Sequence, residues 1–402
     1  MLIDMINLMA SPPHLLDAGQ AAEYLGVSRQ TLYAYVSRGL LVSEPGPGPS
    51  RARRYPRAAL ERLKAGRGRR AAGETGAPTS LFWGPPVVDS SLTLVSDGRI
   101  AYRGIDALAL ADEGPFERAV ALLWTADADS ADRLFGVLPP ARASRREGDL
   151  GTALAGTLVR MAGTTALSLG SPRAAVLHRA VEVVGELFRT AGARGGDTLA
   201  ERLARGWRID RPRDLDAALI LCADHELNVS TFTARCVASA DARLEHVLLA
   251  ALAALHGRRH GGSATRVAAL VTEAGHAGAR GAIDRALAEV GDVPGFGHPL
   301  YPDGDPRGAA LMRLAFGGAG PDGAIGELID VARETFGLRP NLDFGLACLA
   351  RSLGLAGDAA FGLFALGRSA GWIAHALEAW DDGRLVRPRA RYVGPEPVWP
   401  GS

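Results

Sequence analysis

The segment from Pro294 to Arg307, PGFGHPLYPDGDPR, combines residue types that could carry chemistry with a backbone unsuited to regular structure. Its four prolines disfavour a helix, and it has few β-formers. His298 follows Gly297, whose missing side chain would let a substrate approach the imidazole. The residues from Asp305 to Arg307 match the N-cap, N1 and N2 positions of a new helix, which would point a guanidinium and free N–H groups toward an anion. We interpret the segment as an active-site loop; the alternative is a rigid surface turn with an incidental histidine.

Three further polar clusters interrupt apolar stretches of the chain. The residues from Asp224 to Asn228 follow the apolar run AALILCA, and His260 precedes two glycines. Polar groups at the end of a buried helix are unfavourable unless they hold one another or a ligand. Asn341 can cap a helix that carries Asp343 in its first turn, an acid among apolar neighbours. Each cluster, taken alone, could be structural.

The composition is that of a packed protein without export signals. The chain has 402 residues, of which 47% are hydrophobic and 22% charged, enough for two to three domains. Its three cysteines form no CxxC pair, which argues against a disulfide scaffold or a zinc knuckle and predicts a reducing, cytoplasmic location. The first residues lack the pattern of a signal peptide, and no apolar run is long enough to span a bilayer. We therefore expect no membrane association.

The net charge of +1 conceals an uneven distribution. Residues 28–70 contain eleven basic residues against two acidic ones, a local charge of +9, whereas residues 1–27 hold three acids and no base. The remaining residues, 71–402, carry 34 basic and 39 acidic side chains, a charge of −5. One end of the molecule is therefore suited to polyanions.

The elements that must position these residues begin with an amino-terminal unit. Asp17 can cap one helix, Gly26 ends it, and Ser28 can cap a second. This spacing indicates a helix-turn-helix, and EYLGVSRQTLYAYVSRGLL resembles the MerR-like and excisionase-like DNA-binding families, with the stretch from Ser43 to Tyr55 as a wing. The alternative is a small helical module for protein contacts. In the DNA-binding interpretation, the residues that would face base edges are Arg29, Gln30 and Thr31. The residues that would contact phosphates are Arg51, Arg53 and Arg54.

Beyond this unit the sequence predicts an all-α fold. Residues 1–66 form the helix-turn-helix domain and the Gly/Ala/Arg-rich residues 67–79 a linker. Apolar residues then recur at helical spacing, and several helices lack a polar face, which implies burial on most sides. One short hairpin is predicted at Leu92 to Tyr102, with its turn at residues 96–98. The clearest helical stretches are Phe116 to Trp124, Ala153 to Met161, Ala174 to Phe188 and Leu244 to Leu255.

The polar clusters together resemble the citrate synthase family from about Leu81 to Pro395. The strings DHELNVSTFTAR, HGG, PGFGHPLYPDGDPR, NLDF, GRSAGWIAH and RPRARYVGP occur in the family's order and approximate spacing. The resemblance implies a large helical domain over residues 80–260 and 353–402. It also implies a smaller, mobile helical domain over residues 261–352 that closes over the site.

The resemblance also implies the roles of seven residues. It places a catalytic triad at His260, His298 and Asp343, with the oxo-acid ligands at His225, Arg307, Arg368 and, from the partner subunit of a homodimer, Arg387. Asp343 would act as base and His260 as donor to the thioester oxygen, while His298 would serve the ketone oxygen. The implied reaction condenses an acyl-CoA with oxaloacetate to give citrate or 2-methylcitrate, with the coenzyme A thioester as substrate and no cofactor.

Three departures from the family pattern leave acetyl-CoA and propionyl-CoA both open as substrates. Pro299 stands where the family commonly has arginine, Ser263-Ala264 where it has an Ala-Asn pair, and Arg258-Arg259 where it has a proline. The two arginines could contact CoA phosphates, although exposed arginines at a helix end are more often solvated. A metal site at His256 and His260 lacks an acidic or cysteine partner, so we predict none. The alternative to an enzyme is a transcription regulator that binds duplex DNA and uses the synthase-like body as a metabolite sensor.

Overall fold

The computed structural model describes most of the chain. The described residues are 15–37, 41, 43–46, 53–57, 59–61, 63–64, 88–136, 148–164, 167, 170–258, 260–261, 263–321, 323–355, 358–388, 390 and 392–396. Arg51, Arg259 and the predicted linker at 67–79 lie outside them. Across the described part of the chain, no helix combines the length and apolarity that a membrane crossing needs.

Helices dominate the described residues, as the sequence predicted. The strands are β1 (Leu15–Leu16), β2 (Glu44–Pro45), β3 (Arg53–Pro56), β4 (Thr93–Ser96), β5 (Arg99–Tyr102) and β6 (Ile105–Asp106). The first helices are α1 (Ala18–Leu25), α2 (Arg29–Ser37), α3 (Ala107–Glu113), α4 (Phe116–Thr125), α5 (Ala131–Phe135), α6 (Leu150–Ala162), α7 (Arg173–Thr190) and α8 (Leu199–Trp207). The others are α9 (Pro212–Cys222), α10 (Val229–Ser239), α11 (Leu244–Leu255), α12 (Ser263–Val290), α13 (Pro306–Phe316), α14 (Gly323–Phe336), α15 (Leu342–Ser352) and α16 (Ala359–Asp382).

The amino-terminal unit has the predicted caps. Asp17 and Gln20 form a capping box at α1, and Gly26 ends this helix in the left-handed conformation. Ser28 Oγ accepts the N–H of Thr31 at the start of α2. The strands β1, β3 and β2 form an antiparallel sheet beside the two helices. The hydrophobic cluster of this unit, the amino-terminal core, includes Leu16, Leu25, Leu32, Val36, Tyr55 and Leu60.

The predicted hairpin is confirmed as β4 and β5. Asp97 and Gly98 both have positive φ angles, 52° and 72°, which is typical of a tight two-residue turn between antiparallel strands. The chain adds β6, which the sequence did not predict, on the far side of β5. This small sheet packs against the helical body through Ile100 and Tyr102, both fully buried.

Two hydrophobic clusters fill the helical body. The larger, the main core, contains α4, α9, α11 and α16, and α16 is buried along almost its whole length. This agrees with the absence of a polar face in its sequence. The smaller cluster, the second core, gathers residues of α12, α14 and α15 together with the loop before α13; it includes Val267, Ile283, Phe296, Leu328 and Phe344.

Glycines allow close helix contacts beside both arginines of the predicted site. A Cβ atom at Gly308 would overlap the carbonyl oxygen of Asn341, so α13 and the start of α15 touch directly after Arg307. A Cβ atom at Gly367 would lie 2.5 Å from the carbonyl oxygen of Leu219, so α16 touches α9 directly before Arg368. Backbone contact at these glycines fixes where each arginine emerges.

Replacing Gly308 with alanine should therefore destabilise the protein. Alanine normally stabilises a helix relative to glycine, but here the added methyl group must displace backbone, at a cost of about 1–3 kcal/mol. Gly275→Ala in α12 is the matched control, because a Cβ atom there meets nothing within 4 Å. Denaturant titration should show a loss for Gly308→Ala and no loss for Gly275→Ala; equal stability of the two variants would contradict the close contact.

Candidate active site

Backbone pairing joins the loop that carries His298 to the segment that leads into α15. Gly297 donates its N–H to the carbonyl of Arg339 (2.8 Å), and Asn341 donates its N–H to the carbonyl of Gly295 (2.9 Å). The side-chain amide of Asn341 adds a bond to the carbonyl of Gly297 (3.2 Å). Both glycines have positive φ angles near 80°, which residues with side chains rarely adopt. The imidazole and the start of α15 are thus held together.

Asn341 caps α15, as predicted. Its Oδ1 accepts the N–H groups of Asp343 (3.0 Å) and Phe344 (3.4 Å). Asp343 lies half-buried in the first turn of the helix. The carboxylate is therefore carried by a rigid helix end only two residues from the bonds that fix the His298 loop.

Arg307 is buried, with 2% of its surface exposed, and paired with Asp305. Its Nε and Nη2 donate to the two oxygens of Asp305 at 3.0 and 2.8 Å. Asp305 also accepts the N–H of Arg307 and that of Leu342, at 3.0 and 3.1 Å. Burial alone would lower the pKa of Arg307, but Asp305 outweighs it and raises that pKa. The carboxylate of the N-cap residue Asp305 therefore already supplies one anion at this helix start.

Arg368 is the second buried guanidinium, with 1% of its surface exposed. Its Nε donates to the carbonyl of Cys222 (2.6 Å), and its guanidinium carbon lies 4.9 Å from the ring centre of Phe364. Burial lowers the pKa of this arginine, and the nearby Arg307 lowers it further. Two cations therefore lie close together in a region that excludes water.

His225 follows α9 and lies among the other candidate residues. Its Nε2 is 3.0 Å from the hydroxyl of Tyr301, and its ring meets that of His298 edge-on with centroids 5.1 Å apart. Burial lowers the pKa of His225 well below its ordinary value, and the positive charge of Arg307 adds to this effect. The imidazole is therefore neutral at pH 7.

The other two histidines of the candidate site, His260 and His298, are neutral for the same reasons. Burial, with Arg368 nearby, lowers the pKa of His260 to about 3. Burial, with Arg307 nearby, lowers the pKa of His298 to about 4. His260 Nε2 lies 2.8 Å from the hydroxyl of Ser230, and His298 Nδ1 accepts the N–H of Leu300 (3.2 Å). A neutral His298 that accepts at Nδ1 carries its proton on Nε2.

A buried polar network behind His225 ties its loop to α16. Asp224 Oδ2 accepts the hydroxyl of Thr93 (2.5 Å) and lies 3.2 Å from His375 Nε2, and the side chains of Asp224 and His375 are both fully buried. Arg235 reaches His375 Nδ1 (3.3 Å) and the carboxylate of Glu378 (2.5 Å). The His225 loop, α10 and the helix that bears Arg368 are therefore locked in one arrangement.

The structure brings six of the seven predicted site residues into one region and leaves one apart. His225, His260, His298, Arg307 and Arg368 influence one another electrostatically, and Asp343 acts on the thiol of Cys222 beside the two arginines. The seventh residue, Arg387, is exposed in the segment after α16, and no interaction with the other six is found among the described residues. Its predicted reach into a partner's site stays a prediction. Among the described residues, no group of histidine, cysteine or acidic side chains could hold a metal ion.

The residues predicted to bind DNA differ in their exposure. Arg29 and Gln30 are exposed and Thr31 half-buried at the start of α2. Arg54 lies half-buried on β3. The guanidinium of the half-buried Arg53 donates to the carbonyl and hydroxyl of Ser43 within the protein, and its phosphate contact stays a prediction. Arg51 lies outside the described residues.

Several residues of the site were missed from the sequence. Tyr301 and Ser230 contact His225 and His260, and Asp305 does more than cap a helix, because it holds the guanidinium of Arg307. Tyr301 follows His298 by three residues in an exceptional loop, which was a usable signal. No sequence signal pointed to Ser230, because its contact with His260 joins residues 30 positions apart in the chain.

Comparison with known proteins gives two family matches. The model "Citrate synthase, C-terminal domain" matches residues 163–389, more than half of the chain. The model "Helix-turn-helix domain" matches residues 15–68.

Among curated proteins, the chain is 39% identical over 186 residues to "Citrate synthase 2" of Bacillus subtilis. The aligned segment covers 44% of the chain and 50% of that protein. The chain is 35% identical over 192 residues to "2-methylcitrate synthase 2" of Corynebacterium glutamicum, covering 46% and 50%. The chain thus spans about half the length of the curated relatives it matches.

Solved structures agree over a longer range. The citrate synthase from Thermotoga maritima matches with 25% identity and a TM-score of 0.66, covering 78% of this chain and 95% of that one. The citrate synthase of Thermoplasma acidophilum, solved with carboxymethyl coenzyme A and oxaloacetate, matches with 23% identity, the same coverage and a TM-score of 0.67, which shows a shared fold. With its residues 163–389 matched, the chain belongs to the citrate synthase family.

Proposed function

We propose that the protein condenses an acyl-CoA with oxaloacetate, giving citrate or 2-methylcitrate and free coenzyme A. The observation that carries this proposal is the grouping of two buried guanidinium groups and three neutral imidazoles near a half-buried carboxylate on a helix end. Such a grouping can bind a dianion and stabilise two developing oxyanions without a cofactor. The family of the chain supports the same reaction class.

Oxaloacetate would be held by the two buried arginines. Asp305 uses Nε and Nη2 of Arg307, so Nη1 is the edge that faces a substrate carboxylate. Arg368 and His225 would hold the same substrate from α16 and from the loop after α9. We propose that the protein is a homodimer in which Arg387 of the partner subunit grips the second carboxylate.

Proton removal from the acyl group needs a base and a hydrogen-bond donor at the same moment. Asp343 would take the proton from the carbon next to the thioester, and His260 would donate to the thioester oxygen. Ser230 accepts the N–H of Trp372 (3.1 Å), and its own hydroxyl lies 2.8 Å from both Asn228 Oδ1 and His260 Nε2. Ser230 has a single hydroxyl proton, which Asn228 Oδ1 accepts in the structure. We propose that this proton turns to His260 Nε2 when the acyl-CoA binds, so that the neutral ring carries its own proton on Nδ1 and donates it in a hydrogen bond to the thioester oxygen.

Bond formation then proceeds at the ketone of oxaloacetate. The enol carbon attacks the ketone carbon, and the Nε2–H of His298 donates a hydrogen bond to the oxygen that gains charge. Water subsequently cleaves the thioester, which releases the carboxylate product and coenzyme A. Because His298 is neutral at pH 7, it stabilises this oxygen as a hydrogen-bond donor and not as a fixed cation.

Acetyl-CoA and propionyl-CoA are both candidate acyl donors. The relatives include one named citrate synthase and one named 2-methylcitrate synthase, at similar identity. The larger donor requires room for one more methyl group beside Asp343. Assays with both donors therefore belong to the first test of the proposal.

A second candidate function is duplex DNA binding by the amino-terminal unit. Its two capped helices and its wing strands match a helix-turn-helix model, and Arg29 and Gln30 are exposed at the start of α2. The positive charge of +9 over residues 28–70 supports attraction to phosphates. In this role the synthase-like body would act as a metabolite sensor, and catalysis could accompany it.

Substituting the proposed base should abolish turnover. Asp343→Asn keeps the size of the side chain but removes its basicity, so thiol release from acetyl-CoA or propionyl-CoA with oxaloacetate should fall by about 10²- to 10⁴-fold. Asp330→Asn on the exposed side of α14 makes the same charge change and should leave the rate unchanged. A wild-type protein without activity on either donor would refute the enzymatic proposal.

The lowered histidine pKa values predict acid sensitivity of the fold. Between about pH 6.5 and pH 4, unfolded histidines bind protons that the buried His260 and His298 do not. The free energy of unfolding should therefore fall as the pH drops through this range. His298→Asn should make the decline between pH 7 and pH 5 shallower in denaturant titrations, whereas His178→Asn, at an exposed position, should not. An unchanged slope for His298→Asn would contradict its neutral burial.

Binding of duplex DNA should depend strongly on salt. Arg54→Ala should weaken binding about equally for all sequences and reduce the slope of log K against log salt by about 1, because one phosphate contact is lost. Arg99→Ala, an exposed arginine on β5 of the body, serves as the control. Fluorescence anisotropy with a labelled duplex measures both, and salt-independent binding would count against this candidate.

A further inference from the structure

The two sides of α2 have different surroundings within the amino-terminal unit. Leu32 and Val36 point into the amino-terminal core. At 100° per residue, Ala34 lies about 160° around the helix from Leu32 and therefore faces away from that core. Gln30 shares this outward face, about 40° from Ala34, and Tyr33 lies at its edge, about 100° from Ala34. It is the face that a helix-turn-helix protein inserts into the major groove.

The outward face of α2 is nevertheless covered. Ala34 is only 8% exposed, although it does not belong to the amino-terminal core. Tyr33 packs against the second core, the cluster that contains residues of α12, α14 and α15. Helix α2 lies in contact with α14. The helical body therefore shields the part of α2 that follows Arg29 and Gln30.

A second contact lies at the end of α12 and involves the wing. Arg53 Nη1 on β3 donates to the carbonyl of Glu289 (3.4 Å), while its Nε donates to Ser43 Oγ (3.1 Å). A Cβ atom at Gly291 would overlap Ser43 Oγ and would lie 3.5 Å from Val36. The amino-terminal unit and the body therefore meet so closely that a side chain at Gly291 would have to displace the hydroxyl of Ser43. The arginine expected on phosphate is bound to the body.

We propose that α14 and the end of α12 mask the DNA-reading surface of the amino-terminal unit, so that docking on the body and binding of duplex DNA exclude each other. This inference rests on the second candidate function. A major groove about 12 Å wide admits one helix of about 10–12 Å diameter, which leaves no room for α14 on the same face. In the docked arrangement the three nitrogens of the Arg53 guanidinium also already donate to Ser43 and Glu289.

The mask leaves the first residues of α2 accessible. Arg29 and Gln30 are exposed in the docked arrangement, so a duplex can meet them before the unit is released. Full engagement of Tyr33, Ala34 and Arg53 requires undocking. The observed DNA affinity is then lowered by the fraction of molecules that are docked.

A reversible cross-link tests the mask in the full-length chain. Ser43→Cys combined with Gly291→Cys places two thiols where the side chains would overlap, within the reach of a disulfide. After oxidation the unit is locked on the body, and affinity for a labelled mixed-sequence duplex should fall about 10-fold or more relative to the reduced protein. The Gly291→Cys single variant, which cannot form the bridge, should bind equally before and after reduction.

Each outcome of the cross-link experiment has a distinct meaning. Failure of the disulfide to form would overturn the docked arrangement, and equal DNA affinity of the oxidised and reduced forms would overturn the mask. If neither form binds DNA, the DNA-binding candidate falls and the mask with it. The acyl-transfer proposal is judged separately, by thiol release.

Loosening the contact should have the opposite effect. Gly291→Leu inserts a side chain between Ser43 and Val36 and should raise the affinity for the duplex about 10-fold, with a steeper salt dependence because Arg53 is released. Gly337→Leu is the matched control: this glycine also has a positive φ angle, 63° against 76°, but a Cβ atom there meets nothing within 4 Å. An unchanged or lower affinity for Gly291→Leu alone would contradict the mask.

Discussion

The burial of two guanidinium groups in one small region is the constraint on which the site depends. A buried charge costs several kcal/mol unless it is compensated, and Asp305 compensates only Arg307 directly. Arg368 is stabilised by the charge of the buried Asp224, the carbonyl of Cys222 and the ring of Phe364. Burial, reinforced by the resulting positive potential, keeps the three nearby histidines neutral, and the same potential favours a ligand with negative charges. Close contacts at Gly308 and Gly367 hold both arginines in this unfavourable place.

The second core connects the proposed active site to the amino-terminal unit. Phe296 and Phe344, which belong to the second core, lie two residues before His298 and one after Asp343. Tyr33 of α2 packs on that same core from outside. A shift in how α12 and α14 pack would therefore affect both the proposed base and the cover over α2. The proposed metabolite site and the proposed DNA-binding surface thus share one structural element.

The sequence predicted features that depend on neighbours along the chain. The caps at Asp17, Asp305 and Asn341 and the turn at Asp97 follow from local backbone chemistry, and the burial of α16 follows from its composition. Contacts between distant segments could not be predicted in this way. The bond from Leu342 to Asp305 spans 37 residues, and that from Arg53 to Glu289 spans 236. Because such contacts depend on how helices dock, the bonds of Arg53 to Ser43 and Glu289 could not be predicted from the sequence.

Calorimetric titration of oxaloacetate tests the central claim most directly, because it measures whether two buried cations make a dianion site. Arg368→Gln removes one charge while keeping a similar length, so oxaloacetate should bind about 10- to 100-fold more weakly than to the wild type at pH 7. Arg173→Gln, a partly exposed arginine at the start of α7, should bind as the wild type does. Equal affinity of Arg368→Gln and the wild type would contradict the account.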